Sequence, residues 1–445
     1  MSGYHKRLES EKIPKLLFQQ SLPATIGLLV MSLYNVADTI FIGHSVGTLG
    51  IAGLAIAFPI QMIVMALAQT VGIGSSSIIS RALGSKDFKK AERVLGNFFS
   101  LSMLSGLLLT IVGLLFTKPI LSLFGATETI LPYAAEYMST IFLGTLFIFF
   151  AMGGNSIIRA EGNAKFAMMV MMMSAGVNVV LDPIFIFGLD MGIKGAAIAT
   201  VIAQFSAAAC AVYYFATGRS GVYIHFKNLA LKLRTVKEIF AIGAASLGRH
   251  VAGSAMAIVI NHSLAIYGGD IAIAAFGVVN RIFMIVMMPM FGLVQGLQPI
   301  LGYNYGAKDY GRAKHVTKLS MKVATVMSMI GFVLLLIFAE VLAKVFSSDA
   351  ELINLATYAT RIIVIMLPFI GFQAIAGGYY QAIGKAGPAF FLSILRQVLC
   401  LLPFVLILPI FYDLNGVFFA FPAADVVSVL ITAAMMQVEM KRLSV

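Results

Sequence analysis

Long apolar segments are the feature of this sequence that most restricts its fold. Each is near or above the roughly 20 residues that a helix needs to cross a hydrocarbon core. They are too long for barrel strands and lack the alternation of such strands. The twelve segments lie at about 15–43, 50–80, 92–117, 130–159, 164–188, 192–217, 237–267, 271–303, 316–344, 351–383, 388–411 and 415–440. The sequence therefore predicts an all-α polytopic membrane protein with 12 transmembrane helices.

The composition excludes several other classes of protein. Hydrophobic residues make up 60% of the chain and charged residues only 11%, whereas soluble domains carry about 25% charged residues. A soluble enzyme, a disordered protein and a nucleic-acid binder are therefore not expected. Cys210 and Cys400 both lie in apolar segments, which favours packing roles over a disulfide or a metal site.

The basic residues predict the orientation in the membrane. The chain has 31 Lys and Arg, and only Lys118, Lys194 and Lys344 fall in segments that would lie outside if both termini were inside. Positive charge concentrates on the cytoplasmic side of membrane proteins. We therefore predict a membrane protein with both termini cytoplasmic. The net charge of +12 then reflects orientation and needs no nucleic acid.

The chain contains an internal repeat at a shift of 222 residues. Residues 62–65, 84–94 and 160–164 align with 284–287, 306–316 and 382–386. Because each half has six spans, an even number, both halves begin on the same side of the membrane and the repeats are parallel. The sequence therefore predicts two bundles related by a pseudo-twofold axis along the membrane normal. The predicted units are a leader 1–14, a first bundle 15–217, a linker 218–236, a second bundle 237–440 and a terminus 441–445.

Four polar positions of the first bundle become apolar in the second. Asp38, Asn178 and Asp182 align with Ile260, Cys400 and Phe404, and Thr200 aligns with Ala424 at a shift of 224. Carboxylates inside a membrane are costly and usually functional. Distances from the outer glycine breaks place these residues and Tyr137 at one depth. They predict a cation site that takes Na⁺ through hard oxygen ligands, or H⁺ through carboxylates whose burial favours protonation. The alternative is a hydrogen-bond cluster that only ties the helices together.

Four motifs carry a resemblance to a known family. They are YNVADTIFIG at 34–43, GGNSIIRAEGN at 153–163, NVVLDPIFIFG at 178–188 and GAAIAT at 195–200. With the twelve spans, they resemble the MATE (multidrug and toxic compound extrusion) transporters over nearly the whole chain. The resemblance implies an inner-membrane antiporter that expels cationic amphipathic drugs in exchange for H⁺ or Na⁺, without a cofactor.

The resemblance also implies which residues act. The cation site would comprise Asp38, Asn178, Asp182 and Thr200, with Tyr137 nearby. The substrate cavity is predicted to include Tyr34, Asn155, Met173 and Asn261. Another branch of the family has an acidic site in its second bundle, but this chain has Arg249 and His250 in its seventh span and no acid along 352–412. That second site is predicted to be absent.

Arginines in the second bundle leave an alternative open. Arg249, Arg281, Arg361 and Arg396 lie within its spans. Snorkelling of Arg249 and Arg396 to the inner surface is the simplest interpretation, and an ion pair with Asp425 or an anionic-ligand site are the others. An anionic site would suit a lipid-linked oligosaccharide flippase of the same superfamily. A membrane-embedded enzyme is disfavoured because no nucleophile–base pair or metal-ligand cluster occurs at helical spacing. The chain is expected to act as a monomer without an obligate protein partner.

Overall fold

The computed structural model describes residues 4–443, except for the side chains at 4–6, 35–36, 39, 43–44 and 46–48. All the regular structure in this part of the chain is helical. Several helical runs are longer than one membrane crossing. The run Ile13–Gly84 has 72 residues and would be about 108 Å long as a straight helix, more than three times the thickness of a hydrocarbon core. It therefore holds two crossings.

Twelve crossings follow from the helices and their breaks. Nine helices of the described chain are long and apolar enough to span a membrane, and a bent pair at 131–160 makes a tenth. Two of these ten helices are each divided into two crossings by non-helical backbone, one at Gly269 and the other at Asp413, which gives twelve crossings. The spans are α1 13–48, α2 Leu49–Gly84, α3 Phe88–Leu115, α4 131–160, α5 Ala164–Gly188, α6 Gly192–Ala216, α7 233–268, α8 270–306, α9 Tyr310–Phe346, α10 Ala350–Ala382, α11 386–412 and α12 414–442. The twelve predicted spans are confirmed.

Short helical segments lie outside these spans. They are Tyr4–Ser10 before α1, Thr117–Leu123 between α3 and α4, and a 3-10 turn Phe226–Asn228 between α6 and α7.

The backbone repeats at the shift that the sequence shows. Lys86 and Lys308, 222 residues apart, both have φ of 60°, and Gly162 and Gly384 both have positive φ. The following residues, Asp87 and Asp309, each cap the next helix by accepting a backbone N–H hydrogen bond at 2.9 Å. Two six-helix bundles with equivalent loop geometry result.

The two bundles contact each other on the predicted cytoplasmic half. A Cβ added to Gly74 of α2 would lie 2.1 Å from the Ile239 carbonyl oxygen of α7, and one on Gly243 would lie 2.0 Å from the Thr70 oxygen. Ser77 also donates a hydrogen bond to the Gln381 carbonyl oxygen across the interface at 2.6 Å. The backbones therefore approach closely here because glycine has no side chain.

The predicted outer half is arranged differently. On the predicted cytoplasmic side, residues of α2, such as Ile78, share one hydrophobic core with residues of α8, such as Ile300. The outer part of the first bundle forms a separate core that includes Ile42, Tyr137 and Ile193. Among the described residues, this outer core includes no residue of the second bundle.

Candidate functional site

Two buried acids of the first bundle come from helices that are distant in sequence. Asp38 lies on α1 and is 7% exposed, and Asp182 lies on α5 and is fully buried. Their carboxylates are close enough to repel each other electrostatically. Like charges held together inside a membrane are unfavourable unless a cation is bound between or beside them.

Asn178 connects the acids to α6. Its Nδ2 donates hydrogen bonds to Asp182 Oδ1 at 3.4 Å and to Thr200 Oγ1 at 3.3 Å. Asn178 and Asp182 are four residues apart on α5 and therefore lie on one face of that helix. The structure thus brings together the four residues that the sequence predicted as a cation site.

Three acceptor oxygens in this cluster have no donor within the described chain. Asp38 Oδ1, Asn178 Oδ1 and Asp182 Oδ2 are buried without a hydrogen-bond partner. Leaving such an atom unsatisfied costs about 1–3 kcal/mol, and more when it is charged. Either a proton on a carboxyl group or a cation with oxygen ligands would satisfy them.

Two tyrosines border the acids. Tyr34 of α1 and Tyr137 of α4 both interact electrostatically with Asp38 and Asp182. Gln61 of α2 is also a polar neighbour of Tyr137. The sequence predicts Tyr34 for the substrate cavity, and the structure places it beside the acids. Gln61 was missed, although a polar residue at this depth of a span is a usable signal.

A helix irregularity lies next to Asp182. Pro183 follows directly, and residues Ile184–Gly188 form a π-helical turn. Proline removes a backbone donor and disturbs the preceding turn, and π-turns often mark functional sites. The helix of Asp182 therefore changes its hydrogen-bonding pattern directly after the acid.

The equivalent layer of the second bundle is apolar. Ile260, Cys400 and Ala424 are all buried in its core. Next to Ala424, Asp425 is 1% exposed and forms an ion pair with Arg396. Arg396 Nε donates to Oδ1 at 2.5 Å and Nη2 to Oδ2 at 3.2 Å. Of the interpretations offered for Arg396, the ion pair with Asp425 is confirmed. Within the described residues, no group of three or more His, Cys, Asp or Glu could hold a metal ion.

The other predicted cavity residues have diverse surroundings. Asn155 is buried, donates a hydrogen bond to the Ala167 carbonyl oxygen at 2.8 Å and accepts one from Arg159. Met173 is partly buried against Cys210, and Asn261 is exposed on α7. The amide of Asn155 is thus engaged within the first bundle. Roles in substrate binding stay predictions for all three.

Comparison with known proteins shows which family the chain belongs to. A family model described as MatE matches residues 23–184 and 250–407, which is one stretch in each bundle. The chain belongs to the MatE family. As a member of the MatE family it is a membrane transporter and not an enzyme.

MatE relatives match over nearly the whole chain. The Multidrug export protein MepA of Staphylococcus haemolyticus (strain JCSC1435) is 29% identical over 419 residues, covering 94% of this chain and 92% of that protein. A solved structure of the MATE multidrug transporter DinF-BH, determined as a complex with a ligand, is 45% identical, with a TM-score of 0.91 and 98% of each chain covered.

A second solved structure has the same fold at lower identity. It is an outward-facing conformation of a multidrug resistance MATE family transporter of the MOP superfamily. It is 26% identical, with a TM-score of 0.94, and covers 100% of this chain and 99% of that one.

Proposed function

We propose that the chain is a secondary antiporter that exports several cationic amphipathic drugs in exchange for H⁺ or Na⁺ by alternating access. The names of its relatives support multidrug export. We further propose that it works as a monomer in the inner membrane, with both termini cytoplasmic.

The observation that carries the proposal is the set of unsatisfied oxygens around Asp38 and Asp182. A cluster that only tied helices together would be expected to pair its acceptors, because buried polar atoms in folded proteins are nearly always hydrogen-bonded. Three buried acceptors beside two carboxylates instead suit a site that a cation occupies for part of a cycle.

The helices that hold the acids suggest how binding is coupled to movement. Loading a cation removes the repulsion between Asp38 on α1 and Asp182 on α5, so these helices can approach each other. The π-turn after Pro183 gives α5 a place to bend. The resulting change in the first bundle weakens drug contacts in the cleft, and the drug leaves on the outer side. The return to the inward-open state carries the cation into the cell.

Ethidium efflux from membrane vesicles tests this mechanism. Vesicles containing the wild type are given either a pH gradient or a Na⁺ gradient, and the same is done for Asp38→Asn and Asp182→Asn. We expect efflux driven by one gradient in the wild type, which identifies the ion. Each substitution removes a charge that the cation needs and should abolish most gradient-driven efflux.

Glu128→Gln is the matched control, because this carboxylate is exposed in a loop of the same bundle. It should transport like the wild type at equal protein level. Undiminished gradient-driven efflux in both Asp38→Asn and Asp182→Asn would contradict the proposal.

The flippase alternative has less support. Its pyrophosphate site would use arginines of the second bundle, and one of them, Arg396, is already paired with Asp425. The relatives compared above are described as multidrug transporters.

A further inference from the structure

The linker 218–236 carries positive charge that its own residues do not balance. It contains four Lys and Arg and no Asp or Glu. Three of these bases, Lys227, Lys232 and Arg234, are exposed, and within the described residues they form no ion pair. Glu238, the acid that follows the linker, is paired with bases of α2 and α3. The exposed charge of the linker is therefore available to an anionic ligand.

Hydrogen bonds hold the linker against α3 near the surface of the hydrocarbon core. The Asn97 amide donates to the carbonyl oxygens of Asn228 at 3.0 Å and Ala230 at 3.2 Å. Ser100 Oγ donates to the Leu229 carbonyl oxygen at 2.6 Å. About 27 Å of helix separates Asn97 from the end of α3, close to the roughly 30 Å thickness of a hydrocarbon core. The linker is thus fixed at the level where lipid headgroups meet the hydrocarbon.

A groove of about 510 Å³ lies between the linker, α3 and α4. Its apolar lining residues are Phe99, Met103, Leu104, Phe150, Leu229 and Leu231. Met103 and Leu104 are 45% and 54% exposed, so the groove is open to the lipid that surrounds α3. They lie about 10 Å farther along the helix than Asn97, toward the membrane centre. The groove therefore leads from the linker into the hydrocarbon region.

The linker also exposes apolar side chains next to its bases. Phe226, which is 91% exposed, directly precedes Lys227. Lys232 lies between Leu231 and Leu233, which are 42% and 69% exposed. Exposed aromatic and aliphatic side chains combined with Lys and Arg are typical of segments that lie in the membrane interface. The linker consequently has the composition of a lipid-contacting surface.

An anionic phospholipid matches both the charge and the groove. Its headgroup carries a net negative charge, and bases near the membrane surface attract such headgroups. Its acyl chains are apolar and gain by leaving polar surroundings for the groove. A free phosphate would leave the groove unused, and a zwitterionic lipid brings a positive charge of its own toward the bases. An anionic lipid is therefore the ligand that both features select.

We propose that the linker and the groove beside it form a binding site for one anionic phospholipid. Lys227, Lys232 and Arg234 contact the headgroup, and one acyl chain lies along the groove between α3 and α4. The site is on the lipid-facing surface of the first bundle and goes beyond the proposed drug export. Because the linker joins the two bundles, the bound lipid fastens this connection to the first bundle.

A single tryptophan in the groove provides the test, because the chain contains no Trp. Leu104→Trp places the indole at the exposed mouth of the groove. The full-length protein is put into vesicles with equal parts of phosphatidylglycerol and phosphatidylcholine, and only one of the two lipids is brominated in each sample. Bromine quenches a Trp that it contacts, so the two samples compare the two lipids at this position. We expect about threefold or more quenching by phosphatidylglycerol relative to phosphatidylcholine.

Removing the three bases should abolish this preference. Lys227→Gln, Lys232→Gln and Arg234→Gln are combined in the Leu104→Trp chain, and the two brominated lipids should then quench about equally. As the matched control, three exposed lysines of the second bundle are changed together, Lys308→Gln, Lys318→Gln and Lys322→Gln. This control removes the same charge from the same predicted side of the membrane and should keep the preference at Leu104→Trp.

A second reporter position separates the site from general attraction of lipid. Val326 is 52% exposed on α9 and is the equivalent of Leu104 at the repeat shift of 222 residues. Whatever ratio Val326→Trp reports, substitution of the three linker bases should leave it unchanged. An unchanged ratio there, with an unchanged Tm, also shows that the linker variant is folded.

Equal quenching by the two lipids at Leu104→Trp, or a preference that survives loss of the three linker bases, would overturn the anionic lipid site. Absence of quenching by either lipid would overturn it as well, because the groove would then be covered by protein, such as a second copy of the chain. None of these outcomes depends on transport, so the proposed antiport is judged separately by ethidium efflux.

Discussion

At the scale of single residues, the two bundles treat buried acids in opposite ways. Asp38 and Asp182 keep oxygens without a partner, whereas both oxygens of Asp425 accept hydrogen bonds from Arg396. The arginine thus satisfies both carboxylate oxygens of Asp425, whereas the acids of the first bundle are left with free acceptors. The sequence identified all three acids as intramembrane residues. It could not choose between Arg249 and Arg396 as the partner of Asp425, because that choice depends on how α11 and α12 are rotated.

The ion pair of Arg396 gives a prediction about stability. Arg396→Ala leaves Asp425 buried without its ion-pair partner, and we expect it to lower the free energy of unfolding by about 3–5 kcal/mol. Arg396→Met combined with Asp425→Leu removes both charges and should recover most of that loss. Thermal unfolding of the purified protein, followed by far-UV circular dichroism, measures both. A double variant no more stable than Arg396→Ala would show that the stability does not depend on the pair.

At the scale of elements, the segments between the spans are docked and not free. Asn97 of α3 donates to the carbonyl oxygens of Asn228 and Ala230 in the linker and accepts from the Lys232 backbone. The leader helix Tyr4–Ser10 is held by Arg312 of α9, which donates to the Leu8 carbonyl oxygen at 3.2 Å. The sequence predicted a leader and a linker from their charge but gave no sign of these contacts, since both depend on residues more than 100 positions away.

Glu161, in the turn between α4 and α5, is hydrogen-bonded to the start of the linker. Tyr214, Ser220 and the backbone N–H of Gly221 all donate to its carboxylate. Burial raises the pKa of Glu161 from 4.5 to about 7 despite these donors. The folded state therefore holds the proton more tightly than the unfolded state does.

This raised pKa predicts a pH dependence of stability. The stabilisation from protonated Glu161 is fully present below about pH 4.5 and is lost as the pH rises to about 7, at most about 3 kcal/mol in total. Glu161→Gln cannot ionise, so the Tm of the wild type should fall relative to that of Glu161→Gln between pH 5 and pH 8. Parallel Tm curves for the two proteins over this range would contradict the prediction.

At the scale of the whole molecule, backbone contacts close the predicted cytoplasmic half. Glycines of α2 and α7 allow this approach, and the exposed edge carries ion pairs from Glu238 to Arg81 at 3.5 Å and to Lys90 at 3.3 Å. The proposed alternating access requires the same surfaces to separate. Because a close backbone interface tolerates little added volume, we expect its glycines to control the balance between the two proposed states.

Gly74→Ala should shift this balance toward a state open on the predicted cytoplasmic side. The new Cβ would lie 2.1 Å from the Ile239 carbonyl oxygen, so the closed state is destabilised relative to the open one. Spin labels at Lys89→Cys of α3 and Lys318→Cys of α9, in a chain with both native cysteines replaced, report the distance between the bundles. We expect a larger population at long distances in Gly74→Ala.

Gly377→Ala is the control for added volume, because a Cβ at Gly377 meets nothing within 4 Å. Its distance distribution should match that of the parent chain. Equal distributions for Gly74→Ala and the parent would mean that this contact does not hold the half closed.

The sequence by itself determined the twelve spans, the repeat and the identity of the polar residues in the first bundle. Hydropathy and length fix where a helix must cross, and the loss of Asp38, Asn178, Asp182 and Thr200 from the second repeat is visible without coordinates. Hydropathy and segment length are local properties of the sequence, and the loss of the four polar residues is found by comparing one half of the sequence with the other.

Only the tertiary structure decided which side chains meet. The convergence of Tyr34 with Asp38 and Asp182 and the pairing of Asp425 with Arg396 both depend on the rotation and packing of helices. Hydropathy carries little information about rotation, because lipid and protein interior are both apolar. The close contact of the bundles on one half likewise depends on glycines from distant helices, and only folding brings them together.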